Sequence, residues 1–536
     1  MMAMIQWENL LSYRFNIRNL HNFDLLAGMT YTYDLLEKIE GRAQGGPTNR
    51  IHEIGEGWPK TRTVEGMVES LQSLVTDRQE QAMLSYLGRV AYNYKRRYML
   101  DASIRFDGSS VFGKDVRWAP FPSLGLAWAF SEESFMKDLW WLTFGKVRAS
   151  WGKSGQKFQE AYLAHGLMEE SSTHLGEPGL IPSSMANSRL TWEKSDQYDL
   201  GLDLDLFNNR FKVKLDYYYK YSYDLLMQIP TPGNFFLSKM TWVNSSAISN
   251  EGIELDLTAD LIKRKDFSWM LRFNIARNWN LFRSSYDNTD LDDKVLGRPT
   301  YGIYTYKDEG LVQREQDIPY YYNQLGVRTP LYFQNENYPL RVGGRKIKDQ
   351  NGDGRIDSKD VYYAGSALPL AYGGITNQFS YKGVTLTTLF TYTLGRKMMN
   401  MVRNSTFNFN QKFGPVMNDF SSASIWQKPG DETKFPAITF ADAGYTGQYD
   451  GDIDSNIENV SYLRLKQLSL AYSLPQTWFK RLHLKDVRLY LSGENLFLLT
   501  NYSGLDPEIV NPYTGKDTGE MYPLSRKFTL GLNLKF

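Results

Sequence analysis

The sequence predicts an all-β fold, an antiparallel transmembrane β-barrel, and three observations lead to this fold class. Many segments alternate strictly between apolar and polar residues, which is the period of a β-strand. The connections between these segments alternate between tight turns and long loops, as in outer-membrane barrels. The chain ends on an alternating segment whose last residue is Phe536, and a C-terminal aromatic residue resembles the signal for barrel assembly. Alternation alone would also fit a soluble β-sandwich, so the other features decide.

About fifteen strands are predicted from the alternation. In 211–220, for example, Phe211 and Val213 face one way while Lys212 and Lys214 face the other. The remaining segments with this pattern are 13–20, 23–33, 84–94, 98–107, 118–129, 142–152, 198–206, 253–261, 267–279, 373–381, 384–395, 462–474, 487–500 and 528–536. Many of them run about 9–14 residues, whereas strands in soluble proteins average about 5–6. The strand length therefore also favours a membrane barrel.

The predicted connections fall into two classes. Tight turns are expected at 95–97, Asn208-Asn209, 263–266 and Lys382-Gly383. Long connections are expected at 155–195, 224–245, 283–371, 397–459 and 501–524. In outer-membrane barrels the short turns lie on the periplasmic rim and the long loops are extracellular. The segment 283–371 is therefore predicted to be a long extracellular loop.

The composition excludes several classes of protein. The formal net charge of +1 gives no reason to expect binding to nucleic acid. The absence of cysteine excludes disulfides, thiolate catalysis and cysteine-based metal sites. No run of about 18 apolar residues is present, so no transmembrane helix is predicted. The low mean hydropathy would suit a soluble protein, but a membrane barrel has a polar lumen and polar loops.

The sharpest local motif is the segment 349–360, which matches the ligand pattern of an EF-hand calcium loop. Its ligand positions are held by Asp349, Asn351, Asp353, Arg355 (through its backbone carbonyl), Asp357 and Asp360. Gly354 stands at the sixth position, where the loop turns sharply, and Asp360 replaces the usual Glu, which predicts weaker binding. Bound Ca²⁺ would stiffen the loop 283–371 and have no catalytic role. The alternative is a surface loop rich in Asx turns that binds no metal.

A group of tyrosines in the same predicted loop is a candidate contact for substrate. These residues are Tyr304, Tyr306, Tyr320, Tyr321 and Tyr322. Exposed aromatic rings can stack on sugar faces or grip a peptide. They can also form an aromatic girdle at a membrane interface. The sequence leaves these two interpretations open.

No motif for catalysis is found, so the chain is predicted not to be an enzyme. Gly152-Lys153-Ser154 is not the end of a P-loop, because Val147 stands where that motif requires glycine. The five histidines are scattered and form no metal-binding pair, and no nucleophile elbow is present. The acidic residues lie mostly on the polar faces of predicted strands, where they would line a wet lumen.

A series of short blocks resembles the SusC/RagA family of Bacteroidetes outer-membrane transporters. Two of them are Tyr462-Leu463-Arg464-Leu465-Lys466 and Gly504-Leu505-Asp506-Pro507-Glu508. The others lie at 86–90, 103–110, 117–123, 131–137, 150–155, 250–255, 472–475 and 493–497. Each block is short, but their order from residue 86 to residue 536 is specific to the family.

The resemblance implies a fold, a function and partners. The family barrel has 22 strands, so about fifteen would be its C-terminal portion, and 1–536 is expected to be a partial barrel. The family's signal peptide, TonB-contacting segment and plug have no counterpart in the sequence. The implied function is uptake of glycans or peptides across the outer membrane, with a SusD-like lipoprotein over the mouth and TonB–ExbB–ExbD acting through the missing plug. The alternatives are a transporter remnant, a plugless porin and a soluble β-rich glycan-binding protein.

Overall fold

A computed structural model describes most of the chain. The described residues are 2–44, 60–64, 67–70, 72–174, 177–182, 184–231, 240–291, 294–333, 339–402, 425–433, 435–437, 452–479, 484–511 and 514–535. Phe536, the C-terminal aromatic residue used in the sequence argument, lies outside them. None of the helices in this part of the chain has the length and apolar character needed to cross a membrane.

Strands dominate the described residues. The first fourteen are β1 Met2–Ile17, β2 His21–Ala43, β3 Thr61–Val64, β4 Met67–Ser70, β5 Gln72–Tyr94, β6 Tyr98–Ser109, β7 Trp118–Trp128, β8 Leu142–Gln156, β9 Met168–His174, β10 Glu177–Pro182, β11 Glu193–Leu206, β12 Phe211–Pro230, β13 Met240–Lys263 and β14 Phe267–Ser284. The others are β15 Gly302–Thr305, β16 Asp308–Leu311, β17 Tyr320–Tyr322, β18 Arg328–Pro330, β19 Tyr332–Phe333, β20 Arg345–Ile347, β21 Arg355–Ile356, β22 Tyr362–Ser366, β23 Ala371–Tyr381, β24 Val384–Asn400, β25 Ile457–Ser473, β26 Asp486–Thr500, β27 Lys516–Asp517 and β28 Lys527–Lys535.

Helical structure is sparse in the described residues and includes six single 3₁₀ turns. They are Phe130–Glu132, Ser134–Met136, Glu315–Asp317, Ser358–Asp360, Asp454–Asn456 and Gln476–Trp478.

One large antiparallel sheet contains the long strands. Its hydrogen-bonded order is β1, β2, β5, β6, β7, β8, β11, β12, β13, β14, β23, β24, β25, β26 and β28. This is also the order along the chain, so the sheet is a meander of fifteen strands, and the predicted number is confirmed. The short strand β27 is the sixteenth member and pairs in parallel with the end of β24.

The tight turns lie where the sequence predicts them. Asn208 and Asn209 have φ values of 56° and 63° between β11 and β12. Lys95 and Arg96 have φ values of 51° and 58° between β5 and β6. Positive φ at successive residues gives the twist that joins two neighbouring antiparallel strands. These turns therefore fix the register of their hairpins.

Several strands are longer than the alternation predicts. The loop expected at 224–245 is largely strand, because β12 continues to Pro230 and β13 begins at Met240. Alternation fails in these extensions because side chains on both faces are similarly buried there, so no single apolar face is required. The strand predicted at 13–20 has both bounds wrong, since β1 runs from Met2 to Ile17 and the chain then turns.

Strand β7 shows how alternation sets the two faces of the wall. Trp118, Leu126 and Trp128 are exposed, whereas Ala119 and Phe121 are buried. The exposed face is apolar along the strand and has an indole ring at each end. An apolar band between aromatic residues is the outer surface expected of a membrane barrel.

The chain divides into two compact units. The first comprises Met1–Ala129, Arg148–Asp199 and Lys220–Ala247, and the second comprises Phe130–Val147, Leu200–Tyr219 and Ile248–Phe536. In the first unit, Phe112, Leu190 and Trp192 form the centre of a buried cluster. In the second unit, a separate apolar cluster joins the long segment between β14 and β23 to Ile453, which precedes β25.

Candidate functional site

The predicted loop 283–371 is a folded structure with its own small sheets. β15 pairs with β22, β16 with β20, and β17 with β18, all antiparallel. β19 pairs with β21 in parallel, which brings Phe333 beside Ile356 of the predicted calcium loop. The loop is therefore held by backbone hydrogen bonds at several points along its length.

An apolar core stabilises this folded loop. Its members are at most 6% exposed and are Leu331, Phe333, Leu340, Ile347, Ile356 and Ile453. Ile453 comes from the segment before β25, so the core joins two separate parts of the chain. Burial of a side chain of this size contributes about 1.5–3 kcal/mol. This core therefore stabilises the folded loop from within.

Asp454 fastens the loop to the segment before β25. Its Oδ2 accepts hydrogen bonds from Lys307 Nζ (2.6 Å) and from the Tyr362 hydroxyl (2.7 Å), and its Oδ1 accepts one from the Asp308 amide (2.9 Å). Burial opposes ionisation of Asp454, but the bonds from Lys307 and Tyr362 outweigh it and lower the pKa of the carboxyl. No local pattern in the sequence points to this residue, because its partners lie far away along the chain.

A second ion pair closes the same region. Arg345 Nη1 lies 3.2 Å from Asp308 Oδ2, and both side chains are almost fully buried. Tyr306 adds backbone pairing, since its amide donates to the Asp452 carbonyl and its carbonyl accepts from the Asp454 amide. Together these contacts make the loop and the segment 452–454 one packed structure.

The first half of the predicted calcium loop is ordered by Asx-type hydrogen bonds. Asp349 accepts from the amides of Gly352 (2.6 Å) and Gly354 (2.9 Å). Asn351 Oδ1 accepts from the Asp353 amide, and Asp353 Oδ1 accepts from the Arg355 amide. Gly354 has a φ of 85°, as the sharp turn requires. This geometry is compatible both with a calcium-binding loop and with a loop of Asx turns that binds no metal.

The second half of the predicted calcium loop is engaged in contacts within the protein. Asp357 receives the Lys359 amide, which lowers the pKa of its carboxyl, and it also pairs with the Arg355 guanidinium. Asp360 is fully buried and accepts amide hydrogen bonds from Gln350 and Asp357. Burial raises the pKa of Asp360 despite these bonds. Across the described ranges, no three His, Cys, Asp or Glu side chains gather as metal ligands.

The structure separates the five candidate tyrosines into two groups. Three are used for packing within the loop: Tyr304 contacts Tyr363, Tyr306 contacts Phe333, and Tyr321 contacts Tyr332. The ring of Tyr321 also covers Gly354, where an added Cβ would lie 2.5 Å from the ring Cγ.

Tyr320 and Tyr322 form the second group and are exposed on the hairpin β17–β18. Their rings meet edge to face with centroids 5.6 Å apart, and the Arg328 guanidinium lies 3.9 Å from the Tyr320 centroid. Asn323 accepts amide hydrogen bonds from Leu325 and Val327 and so holds the hairpin turn. The hairpin therefore presents two rings, a cation and exposed aliphatic residues in a fixed arrangement.

The sequence blocks 462–466 and 504–508 meet in a buried network of charges. Arg464 pairs with Asp506, Arg464 Nε lies 3.2 Å from Glu508 Oε1, and Lys466 Nζ lies 3.1 Å from Glu508 Oε2. The opposite charges in the two blocks were visible in the sequence. Their contact was not, because neither block contains information about its distance from the other.

Comparison with known proteins places these features in a family. A model described as TonB dependent receptor-like, beta-barrel matches residues 5–496. TonB-dependent receptor P3 of Formosa agariphila is 30% identical in an alignment of 550 residues that covers 99% of this chain and 52% of that protein. TonB-dependent receptor SusC of Bacteroides thetaiotaomicron is 30% identical in an alignment of 508 residues that covers 92% of this chain and 48% of SusC.

A solved structure agrees with these sequence relatives. The RagAB peptide transporter structure matches with a TM-score of 0.79 and 24% identity, over 100% of this chain and 56% of that chain. At this identity the likeness shows the fold alone. The chain spans about half the length of the curated relatives it matches. Those relatives are transport receptors, in agreement with the prediction that the chain is not an enzyme. The chain belongs to the TonB-dependent receptor β-barrel family of the outer membrane, and a SusC protein is among its relatives.

Proposed function

We propose that the chain forms the wall and extracellular loops of a transporter that imports oligomeric nutrients across the outer membrane. The observation that carries the proposal is the match of the receptor barrel model to 5–496, together with the meander of fifteen long strands. The outer membrane holds no ATP, so import needs energy from the inner membrane. TonB–ExbB–ExbD is the proposed source, acting through a plug domain.

The proposed substrates are glycans or peptides, captured with a SusD-like lipoprotein over the extracellular mouth. Among the relatives, RagAB is named a peptide transporter. On this chain, the support is the hairpin that carries Tyr320, Tyr322 and Arg328, since aromatic rings and a guanidinium suit sugar faces and peptide groups alike. The remaining three tyrosines of the predicted set are proposed to support the loop.

The experiment is an uptake assay in cells that carry the gene in its natural setting. Deletion of the gene should abolish uptake of one class of labelled oligosaccharide or oligopeptide, and restoration of the gene should recover it. A protonophore should stop the recovered uptake, because import depends on the inner-membrane proton gradient. Uptake that survives the protonophore would indicate a passive pore, and unchanged uptake after deletion would indicate a remnant.

We further propose that 349–360 binds Ca²⁺ weakly through oxygens of Asp349, Asn351 and Asp353, with the Arg355 backbone carbonyl, Asp357 and Asp360 as further ligands. Support comes from the sequence spacing and from the turn at Gly354. The Arg355 guanidinium competes for Asp357, so binding requires the guanidinium to leave this carboxylate. Bound calcium would supply a positive charge that stiffens the turn.

Calorimetry with calcium on the purified protein tests this proposal. Replacing Arg355→Gln should increase the affinity for calcium, because it frees Asp357. The control is Lys359→Gln, which removes one positive charge from the same turn. Lys359 bonds Asp357 only through its backbone amide, which the substitution keeps. Equal affinity in the two variants would contradict the role of Arg355, and the absence of calcium-dependent heat in all forms would show that the turn binds no metal.

A further inference from the structure

Two neighbouring tight turns of the second unit enclose a cationic cavity. The turn Phe207–Arg210, between β11 and β12, and the end of β13 line a space of about 680 Å³. Its charged lining consists of Arg210, Lys212, Lys263 and Arg264, opposed by Asp260. Short turns lie on the periplasmic rim of outer-membrane barrels, which places this cavity at the level of the inner leaflet.

Within the described part of the chain, carboxylates do not balance the positive charge of the cavity. Arg210 Nε donates to the Asp260 carbonyl (3.0 Å) and Arg210 Nη2 to the Leu261 carbonyl (2.6 Å), both uncharged acceptors. Among the described residues, Lys212, Lys263 and Arg264 have no carboxylate within ion-pair distance. Four cations thus face one carboxylate, and an anion would find complementary charge there.

Aromatic rings lie directly beside these cations. Phe207 lines the cavity, and its ring contacts Trp140 at 5.5 Å and Phe211 at 6.0 Å. Trp140 is 79% exposed. At the next tight turn along the sheet, Lys382 Nζ lies 5.4 Å from the ring centroid of Tyr381. Aromatic residues and cations side by side are typical of the headgroup level of a membrane.

We propose that this cavity binds the headgroup of an anionic phospholipid of the periplasmic leaflet. The phosphate would lie against Lys212, Lys263 and Arg264, and the glycerol and first methylenes would lie on Phe207 and Trp140. A ligand with adjoining anionic and apolar parts uses both sides of the lining, whereas a free phosphate ion uses only the cations. The bound lipid would anchor this rim against the bilayer.

Lipid binding can be measured on the protein isolated from outer membranes. The probe is phosphatidylglycerol in a background of phosphatidylcholine, titrated in nanodiscs and counted by native mass spectrometry. The test variant combines Lys212→Gln, Lys263→Gln and Arg264→Gln. The control combines Lys114→Gln, Lys359→Gln and Lys428→Gln, which removes the same charge from connections that do not line the cavity. A change in gel mobility after heating shows that each variant was a folded barrel before it was heated.

The native protein should bind phosphatidylglycerol in preference to phosphatidylcholine. The test variant should lose about fivefold in affinity for each cation removed, and the control should bind as the native protein does. The preference should also weaken as salt is added. Equal binding by the test and control variants would overturn the proposal. Displacement of the lipid by equimolar inorganic phosphate would also overturn it, since the site would then be one for a free anion.

Discussion

Arg464 of β25 and Asp506 of the segment after β26 form an ion pair whose side chains are 3% and 4% exposed. Glu508 Oε1 lies 3.2 Å from Arg464 Nε as a second ion-pair partner, and Lys466 pairs with Glu508. The network joins the wall to the connection between β26 and β28. Moving a charge from water into the protein interior costs free energy. Removing one partner of a buried ion pair therefore leaves the other charge uncompensated and destabilises the fold.

Replacing Arg464→Met should strongly destabilise the protein. The change leaves Asp506 buried without its cation, and breaking a buried pair in this way costs about 3–5 kcal/mol. Thermal unfolding in detergent, followed by the shift in gel mobility, measures the effect. The double variant Arg464→Met with Asp506→Leu should recover part of the loss. If the single variant Arg464→Met unfolds at the same temperature as the native protein, the pair contributes nothing to stability.

Asp454 makes the packing of the folded loop dependent on pH. Its pKa is lower in the folded protein than in an unfolded chain, so its contribution to stability is complete above the unfolded value, about pH 4, and is lost as the pH falls through the folded value. Protection of the Asp308 amide from hydrogen exchange should stay constant between neutral pH and about pH 5 and decrease below about pH 4.

The variant Asp454→Asn separates this effect from general acid unfolding. It should show low protection of the Asp308 amide already at neutral pH, since Lys307 then loses its charged partner. The exposed Asp317→Asn is the control and should behave as the native protein does. Native-like protection in Asp454→Asn would refute the role of this carboxylate.

Gly352 and Gly354 allow a matched test of the turn and of the Tyr321 ring that packs on it. Both have positive φ, at 75° and 85°, so alanine at either position is strained by about 1–2 kcal/mol. An added Cβ meets open space at Gly352 but the Tyr321 ring at Gly354. Gly354→Ala should therefore reduce protection of 349–360 in hydrogen exchange more than Gly352→Ala. Equal losses of protection in the two variants would mean that the Tyr321 ring can move away from the turn without a cost in free energy.

The two groups of tyrosines should differ in their effects on uptake. Tyr320→Ala and Tyr322→Ala remove exposed rings and should reduce substrate uptake by about tenfold while leaving the thermal stability unchanged. Tyr304→Phe keeps the packed ring and removes only its hydroxyl, which accepts the Val295 amide. It should leave uptake unchanged. Full uptake by both alanine variants would assign these rings to a role other than substrate contact.

Local patterns in the sequence predicted local structure well. The alternation over 118–129 predicted the two faces of β7, and Asn208-Asn209 predicted the turn between β11 and β12, because period and turn chemistry act over a few residues. The contacts of Arg464 with Asp506 and of Asp454 with Lys307 could not be predicted, since they depend on how distant segments meet. The pairing of Arg355 with Asp357 lies within the calcium motif and depends on a choice of rotamer.

The central claim is that these strands form the wall of an outer-membrane barrel, with apolar residues toward lipid on one face. The chain contains no cysteine, so a single introduced thiol reports its own position. Leu124→Cys and Ser123→Cys are neighbours on β7, and the Ser123 hydroxyl meets Ser103 on the opposite face from Leu124. In intact outer membranes, Ser123→Cys should react with a charged, water-soluble maleimide much faster than Leu124→Cys, because a maleimide adds to the thiolate and a thiol that faces lipid does not ionise. Ready reaction of Leu124→Cys with the water-soluble reagent would contradict the account.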